Sequence, residues 1–420
     1  MFKISRMSLF LSLLFISIST TNAQPLLQVA KLGKSNSTTL YSPKITSDHE
    51  ATWSELTDEF ITSYSKGDIN QAASVAQKSL SFSKRIFGKQ HENTADALNK
   101  MGIVYEANGD LEAAKSYYED SLSMFETSLG KENAKVAMVL NNLANLFFLK
   151  EHFAKAEELH LRSLLMRQNL FSTVHPTVAR SAYNLGKVYE KQAKLDDAVM
   201  FYKQASVLWK KTLGPNHINV ANTFNNLANV YAARGNDTAS EELHLKALTI
   251  REANLGPDHM EVAESLFNLG TICTKQEKYD EAESFYQEAL GIMEHALGKN
   301  DPQIAMTLYS LANIYHIQAQ NEVIYNQGMS DIIGENEKTK ASDTTTSNKN
   351  NIMIVQLKFR KQYVGEIFGK AEPLYKRAIN IVETNYGAEH PSLKVMKEEL
   401  TMLYANIENS MKQASMSAAE

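Results

Sequence analysis

The sequence predicts an all-α fold, a right-handed α-α superhelix of about seven helix pairs closed by a C-terminal cap helix. Two observations carry this. First, residues recur every 42 positions: Ala95, Ala137, Ala179, Ala221, Ala263 and Ala305 keep that interval, as do Met101, Leu143, Leu185, Leu227, Leu269 and Leu311. A period of this length marks a solenoid, in which each unit buries its apolar face only against its neighbours. Second, apolar residues inside a unit follow the 3.6-residue turn. Val178, Leu185, Val188 and Tyr189 share one face. After a break at Lys194-Leu195-Asp196, a second face carries Ala198, Phe201, Tyr202, Ala205, Leu208 and Trp209. Each unit is therefore a pair of helices.

Residues 1–23 precede the fold. Lys3 and Arg6 lead into an apolar stretch from Met7 to Thr20, and Thr21 and Ala23 stand at −3 and −1 of a cleavage site. This is the layout of a secretory signal peptide, and the apolar run is shorter than the roughly 20 residues a spanning helix needs. The reading implies a secreted or extracytoplasmic chain (periplasmic in a Gram-negative host) with no stable membrane insertion after cleavage; a retained anchor is the alternative. Residues 24–48 read as a disordered polar spacer. Gly33-Lys34-Ser35 lacks the upstream glycine of a phosphate loop, since Gln28 stands there.

Repeats 1 to 6 and the first helix of a seventh are expected over 49–318. Second helices end at Leu129-Gly130, Leu213-Gly214, Leu255-Gly256 and Leu297-Gly298. Glycine there is a helix-stop signal, because only glycine takes a left-handed conformation freely. Small residues in register (Gly102, Ala144, Gly186, Ala228, Gly270, Ala312) let helices approach closely, and large ring residues (Tyr118, His160, Tyr202, His244, Tyr286) fill the space beside them.

The seventh pair is interrupted. Ala289 to Ala378 spans 89 residues, 47 more than one period. Residues 319–365 are expected to be a largely disordered insertion, because 336–351 is polar with no apolar run. The apolar and basic segment 352–361 is either an extension of the next helix or a docking segment for a partner, a membrane or the protein's own groove. The second helix of the pair and a cap helix follow over 366–415.

Internal offsets name the repeat. Leu143, Ala144, Phe147, Ala156, His160 and Ser163 fit the spacing of tetratricopeptide repeats. The run from Leu213-Gly214 through His217, Val220-Ala221, Asn225-Asn226-Leu227-Ala228 and Tyr231 to Ala247-Leu248 and Ile250 closely resembles the 42-residue repeats of kinesin light chains and nephrocystin-type proteins, here in a bacterial-like secreted member. The resemblance covers about residues 50–318 and 366–405. It lacks the heptad coiled coil of kinesin light chains, which argues against motor cargo transport. It implies a protein-interaction scaffold whose concave groove is lined by the first helix of each pair.

The resemblance also implies a site. At the position before the repeat leucine, Asn in kinesin light chains hydrogen-bonds the backbone of an extended ligand; here that position holds Asn142, Asn184, Asn226 and Asn268, with Lys100 and Ser310 at the ends. Asn145, Asn229 and Asn313 widen the stripe, and Arg180 and Lys187 point to an acidic or carboxylate feature in the ligand. The other reading is that these amides bond neighbouring helices and only hold the array together.

Other chemistry is not encoded. His49-Glu50 and His91-Glu92 do not extend to a second zinc-binding histidine, as Trp53 and Ala95 stand there. His175, His217 and His259 recur one per repeat, too far apart to share a metal, and read as capping residues. The lone Cys273 reads as a small buried hydrophobe. No cofactor is expected, and a net charge of −5 gives no attraction to nucleic acid. The partner is a protein or peptide. Alternatives are a self-assembling envelope protein that stacks by its open ends, or an enzyme with an unrecognised site.

Overall fold

A computed structural model of the protein describes residues 45–338 and 344–416. The signal segment and most of the spacer lie outside them. Among the described residues fifteen α-helices and one 3-10 turn occur, and no strand. The chain divides into two compact units, one ending at Arg234 and the other beginning at Gly235.

The first unit holds α1 (Ser47–Ser65), α2 (Ile69–Ile86), α3 (Glu92–Ala107), α4 (Leu111–Leu129), α5 (Ala134–Leu149), α6 (Phe153–Phe171), α7 (Pro176–Lys191), α8 (Leu195–Leu213) and α9 (Ile218–Ala233). Odd and even helices pack as pairs, each pair packs on the next, and α3, α5, α7 and α9 also touch in succession. The second unit holds α10 (Asp237–Leu255), α11 (Met260–Lys275), α12 (Tyr279–Leu297), a 3-10 turn Pro302–Ile304, α13 (Ala305–Lys338), α14 (Thr344–Tyr386) and α15 (Pro391–Met416). There α11 packs with α12 and α13 with α14, and α15 covers the last pair.

Helix starts follow a rule. The imidazole Nδ1 of His91, His175, His217 and His259 each accepts a hydrogen bond from the backbone N–H two residues on. These histidines are N-caps, as the loop register implied for His175, His217 and His259, and His91 joins them. Second helices stop at residues with positive φ. Gly130, Gly214, Gly256 and Gly298 fill the position, but Ser172 takes it with φ 79° after α6.

The pairs alternate. A methyl group added at Gly102, Gly186 or Gly270 would lie 2.5, 2.6 or 2.8 Å from the ring of Tyr118, Tyr202 or Tyr286. Intervening repeats set Ala144 and Ala228 in the glycine register and buried His160 and His244 in the tyrosine register. Buried Arg167 and Arg251 likewise interrupt the register of Phe125, Trp209 and Met293. The structural unit of the core is thus a double repeat.

The insertion differs from its expectation. It is helical over 319–338 and 344–365, lengthening α13 and α14 into an antiparallel arm, while 339–343 lies outside the described residues. Segment 352–361 is an N-terminal extension of the seventh pair's second helix. The physical reason is that a two-helix arm needs only one apolar seam: Met329 and Ile333 on α13 are buried in it, while Val364, Ile367 and Phe368 on α14 join its base to the core of the unit. The described parts of the polar run that argued for disorder, 336–338 and 344–351, are helical.

Candidate functional site

The first helices bury most of their surface, and what they leave open is a polar stripe. On α5 it holds Asn142, Asn145 and Leu149; on α7, Arg180, Asn184, Lys187 and Lys191; on α9, Asn222, Asn226, Asn229 and Ala233. These positions repeat at i, i+3 or i+4, and i+7, one face of a helix. Because α5, α7 and α9 lie side by side, the three stripes form one half-open strip inside the first unit. In the second unit Asn268 on α11 and Asn313 on α13 are half-buried at the same register.

The amides bind across repeats. Asn142 Nδ2 donates to Asn99 Oδ1 at 3.0 Å, and Asn184 Nδ2 donates to Asn141 Oδ1 at 3.0 Å and to Asn145 Oδ1 at 3.3 Å. Asn226 Nδ2 donates to the Tyr183 hydroxyl at 2.9 Å. The inter-helix role left open by the sequence is therefore present. It uses part of each amide, which has two N–H donors and a two-lone-pair oxygen. The acceptor positions Asn99, Asn141 and Tyr183 were missed; their signal was the residue preceding each stripe position in the 42-residue register.

Lys100 lies off the strip. It is 4% exposed, ion-paired to Asp96 at 2.9 Å, donates to Thr57 Oγ1 at 2.9 Å and sits 4.3 Å over the Trp53 ring. The degenerate first repeat, through α1, covers it.

The open face of α7 carries Arg180, Lys187 and Lys191, with Glu190 near Lys187. Arg167 beneath it is fully buried and donates only to neutral groups, Ser181 Oγ at 2.7 Å and the Thr177 and Ala137 carbonyls. Burial holds its guanidinium well below the usual range, and nearby Arg180 pushes the same way. Burial also draws Arg180 down to about 10 and lowers Lys187, whose amine lies 5.0 Å over the Phe148 ring. Three cations that resist concentrating charge mark a place where an anion is favoured.

One cluster has metal-like spacing: Glu241, Cys273 and Glu281 bring ligand atoms within 4.8 Å of one another. Burial pushes the Cys273 thiol up to about 11, and Lys278 Nζ already holds Glu241 at 3.0 Å. One double repeat earlier, Glu157 accepts from Tyr189 OH at 3.0 Å, Gln192 Nε2 at 2.9 Å and Lys194 Nζ at 3.1 Å. The same structural lock recurs at Glu241, with Cys273 in the place of Tyr189. A protonated thiol and a resident ammonium do not fit a metal. No described helix is long and apolar enough to cross a membrane.

The model of the tetratricopeptide repeat matches residues 62–127, 135–211, 203–253, 219–295 and 269–323, more than half of the chain. The chain belongs to the tetratricopeptide repeat family. Among proteins of curated function none matches it. Among solved structures it is similar to BtubC (BKLC) of P. vanneervenii, at 20% identity and TM-score 0.49 over 55% of this chain and 92% of that one. It is similar to a putative kinesin light chain of Podosopora anserina with nearly identical tetratricopeptide-like repeats, at 19% identity and TM-score 0.44 over 49% and 98%. It also matches a Pyrococcus horikoshii signal transduction ATPase with a tetratricopeptide repeat sensor, at 13% identity and TM-score 0.53, over 64% of this chain and 39% of that one. At these identities the likeness concerns the fold. Tetratricopeptide arrays are, as a rule, protein-interaction scaffolds without catalysis of their own.

Proposed function

We propose that this tetratricopeptide protein is a non-catalytic scaffold that holds an extended, acidic peptide segment of a partner along the strip formed by α5, α7 and α9. The carrying observation is the amide row Asn142, Asn184 and Asn226, half-open and flanked by Arg180 and Lys187. Amides read main chain of any sequence because they both donate and accept. The cations favour a carboxylate on the ligand, because burial disfavours their charge and an anion beside them would offset it. The signal-like N-terminus supports action outside the cytosol. Mass measurement of the exported chain tests that part: a mature protein that retains Met1 contradicts it.

Stacking of open ends into a filament has less support. The outward residues of α1, among them Asp48, Glu50, Glu55, Asp58 and Glu59, are charged, and those of α15 include Lys394, Lys397, Glu398 and Glu408. Such faces are terminal caps.

The binding reading is tested by panning a displayed random-peptide library on the protein, then comparing selected peptides on Asn184→Ala/Asn226→Ala and on Lys187→Glu. Binding that weakens at least about tenfold, roughly 1.4 kcal/mol, at an unchanged thermal midpoint supports the strip. Intact binding in both variants places the site elsewhere. A large fall in midpoint on removing the amides shows that they serve the array alone.

A further inference from the structure

The arm built by α13 and α14 carries an apolar face that none of the described residues covers. Ile324 and Phe359 are each 70% exposed, the highest values among the large apolar side chains described, and Tyr325, Ile332, Ile352, Val355 and Tyr363 are at least half exposed. Five of these residues share one side of the arm, with Ile324 and Val355 at its two outer edges. Arg360 Nη1 meets Glu322 Oε2 at 2.7 Å, which fixes the antiparallel register. Phe359 is then level with Ile324, Val355 with Gly328, and Ile352 with Ile332. The seam residues Met329, Ile333, Val364 and Phe368 fix which way each helix faces. The 3.6-residue turn then puts Tyr325 and Ile332 of α13 on the same side of the arm as Ile352, Phe359 and Tyr363 of α14.

The helices also leave a notch in that face. Gly328 is exposed between Ile324 and Ile332, and a methyl group added there would meet nothing within 4 Å. No packing inside the chain asks for glycine at this position, although glycine in a helix interior is unfavourable. A facing helix would use the gap for close approach.

We infer that this face is a homodimer contact, in which the arms of two copies pair into a four-helix bundle. Three observations select a second copy as the occupant. The first is area: the five side chains on that side, with roughly 100–170 Å² open on each, expose about 650 Å², above ordinary monomer patches and within one partner's share of a standard interface. The second is charge. Over 319–365 the acids Glu322, Asp331, Glu335, Glu337 and Asp343 stand against the bases Lys338, Lys340, Lys349, Lys358, Arg360 and Lys361, five to six. An arm of such mixed charge has little attraction to an anionic membrane, whose surface helices are strongly basic. The third is symmetry. A two-helix arm with one apolar side is half of a bundle, and two-fold pairing sets α13 of each copy beside α14 of the other.

Sedimentation velocity of the purified protein over about 1–100 μM tests this. The expected result is a concentration-dependent shift from monomer to dimer. Ile324→Glu/Phe359→Glu is expected to weaken the dimer at least 100-fold (about 2.8 kcal/mol) at an unchanged thermal midpoint. Leu165→Glu, on an exposed apolar residue of α6, is expected to leave the dimer intact. Should the double Glu variant lose its cooperative melt, Ile324→Ser/Phe359→Ser carries the same comparison. A protein that is monomeric throughout, or a dimer that both arm variants retain, overturns the inference. So does a monomer that sediments only with phosphatidylserine vesicles, which would make the face a membrane contact.

Discussion

At the residue scale, the array depends on a few positions where one atom decides the packing. Gly186 is such a position, because a methyl group there would lie 2.6 Å from the Tyr202 ring, whose hydroxyl is fixed to Glu190 Oε2 at 2.7 Å. Gly291 on α12 is the contrast, an exposed helical glycine with nothing within 4 Å of an added methyl. Opposite signs are expected for one chemical change. Gly186→Ala should destabilise by about 1–3 kcal/mol through overpacking, and Gly291→Ala should stabilise by about 0.5–1 kcal/mol through helix propensity and backbone entropy. Chemical denaturation of both variants checks this; equal shifts of the same sign would contradict the packing account. The small residues were legible in the sequence. Why they alternate was not, because it depends on the ring that each one faces. In the second to sixth repeats tyrosine stands with glycine and the smaller imidazole of His160 or His244 with alanine; the seventh pair departs from this, with Ala312 and Tyr375 at the two registers.

At the element scale, the fourteen helices of the repeats were legible because a period of 42 residues states each of them several times over. The arm occurs once and has no register to check it against. Its two helices show short apolar seams separated by the polar run 336–351, and that run read as a segment unable to bury a core. The structure shows why the reading failed: Met329 and Ile333 are buried only within the arm and do not join the continuous core of the unit. The same fact makes a prediction. Replacing residues 323–359 with a short Gly-Ser turn keeps Glu322 and Arg360 together and should leave the array's thermal midpoint within a few degrees. A fall of about 10 °C or more would mean that the distal arm stabilises the array, since on the order of 2–4 °C corresponds to 1 kcal/mol in domains of roughly 150–250 residues. A second element-scale expectation concerns the break after α6. Ser172→Gly should raise stability by up to about 1 kcal/mol, because φ 79° is strained for serine and free for glycine; a loss of stability would show that the Ser172 side chain matters to the turn.

At the scale of the whole molecule, the repeated histidines make the fold acid-sensitive. Burial pushes His160 down to about 3, with Arg167 and Lys187 adding to it, and burial pushes His244 down to about 3, with Arg251 adding. The capping imidazoles of His91, His175 and His217 are also lowered, by burial first. A lowered imidazole is neutral in the fold while the unfolded chain takes up a proton near pH 6.5. Its stabilisation is therefore complete above that pH and is lost as the pH falls from about 6.5 toward 3, by about 1.4 kcal/mol per pH unit for each fully buried group. Glu106 acts oppositely. Burial raises its carboxyl to about 7, so the folded chain binds the extra proton between pH 7 and 4.5 and is favoured as pH falls through that window. The two effects oppose each other down to pH 4.5, below which the histidines are joined by carboxylates that hydrogen bonds to ammonium groups hold low, such as Glu112 with Lys150 and Glu372 with Lys376. Thermal midpoints are expected to fall most steeply below pH 4.5, and Ala144→Gly/His160→Tyr, which copies the pairing of the adjacent repeats, should flatten that fall. An unchanged slope would remove His160 from the account. The central claim, that an extended acidic ligand lies across α5, α7 and α9, is tested most directly by photo-crosslinking. A library-selected peptide carrying benzoylphenylalanine is irradiated with the protein, and the modified residues are mapped by mass spectrometry. The account predicts adducts within 138–149, 180–191 and 222–233, abolished by Lys187→Glu; adducts confined to the even-numbered helices or to the arm at 319–365 would contradict it.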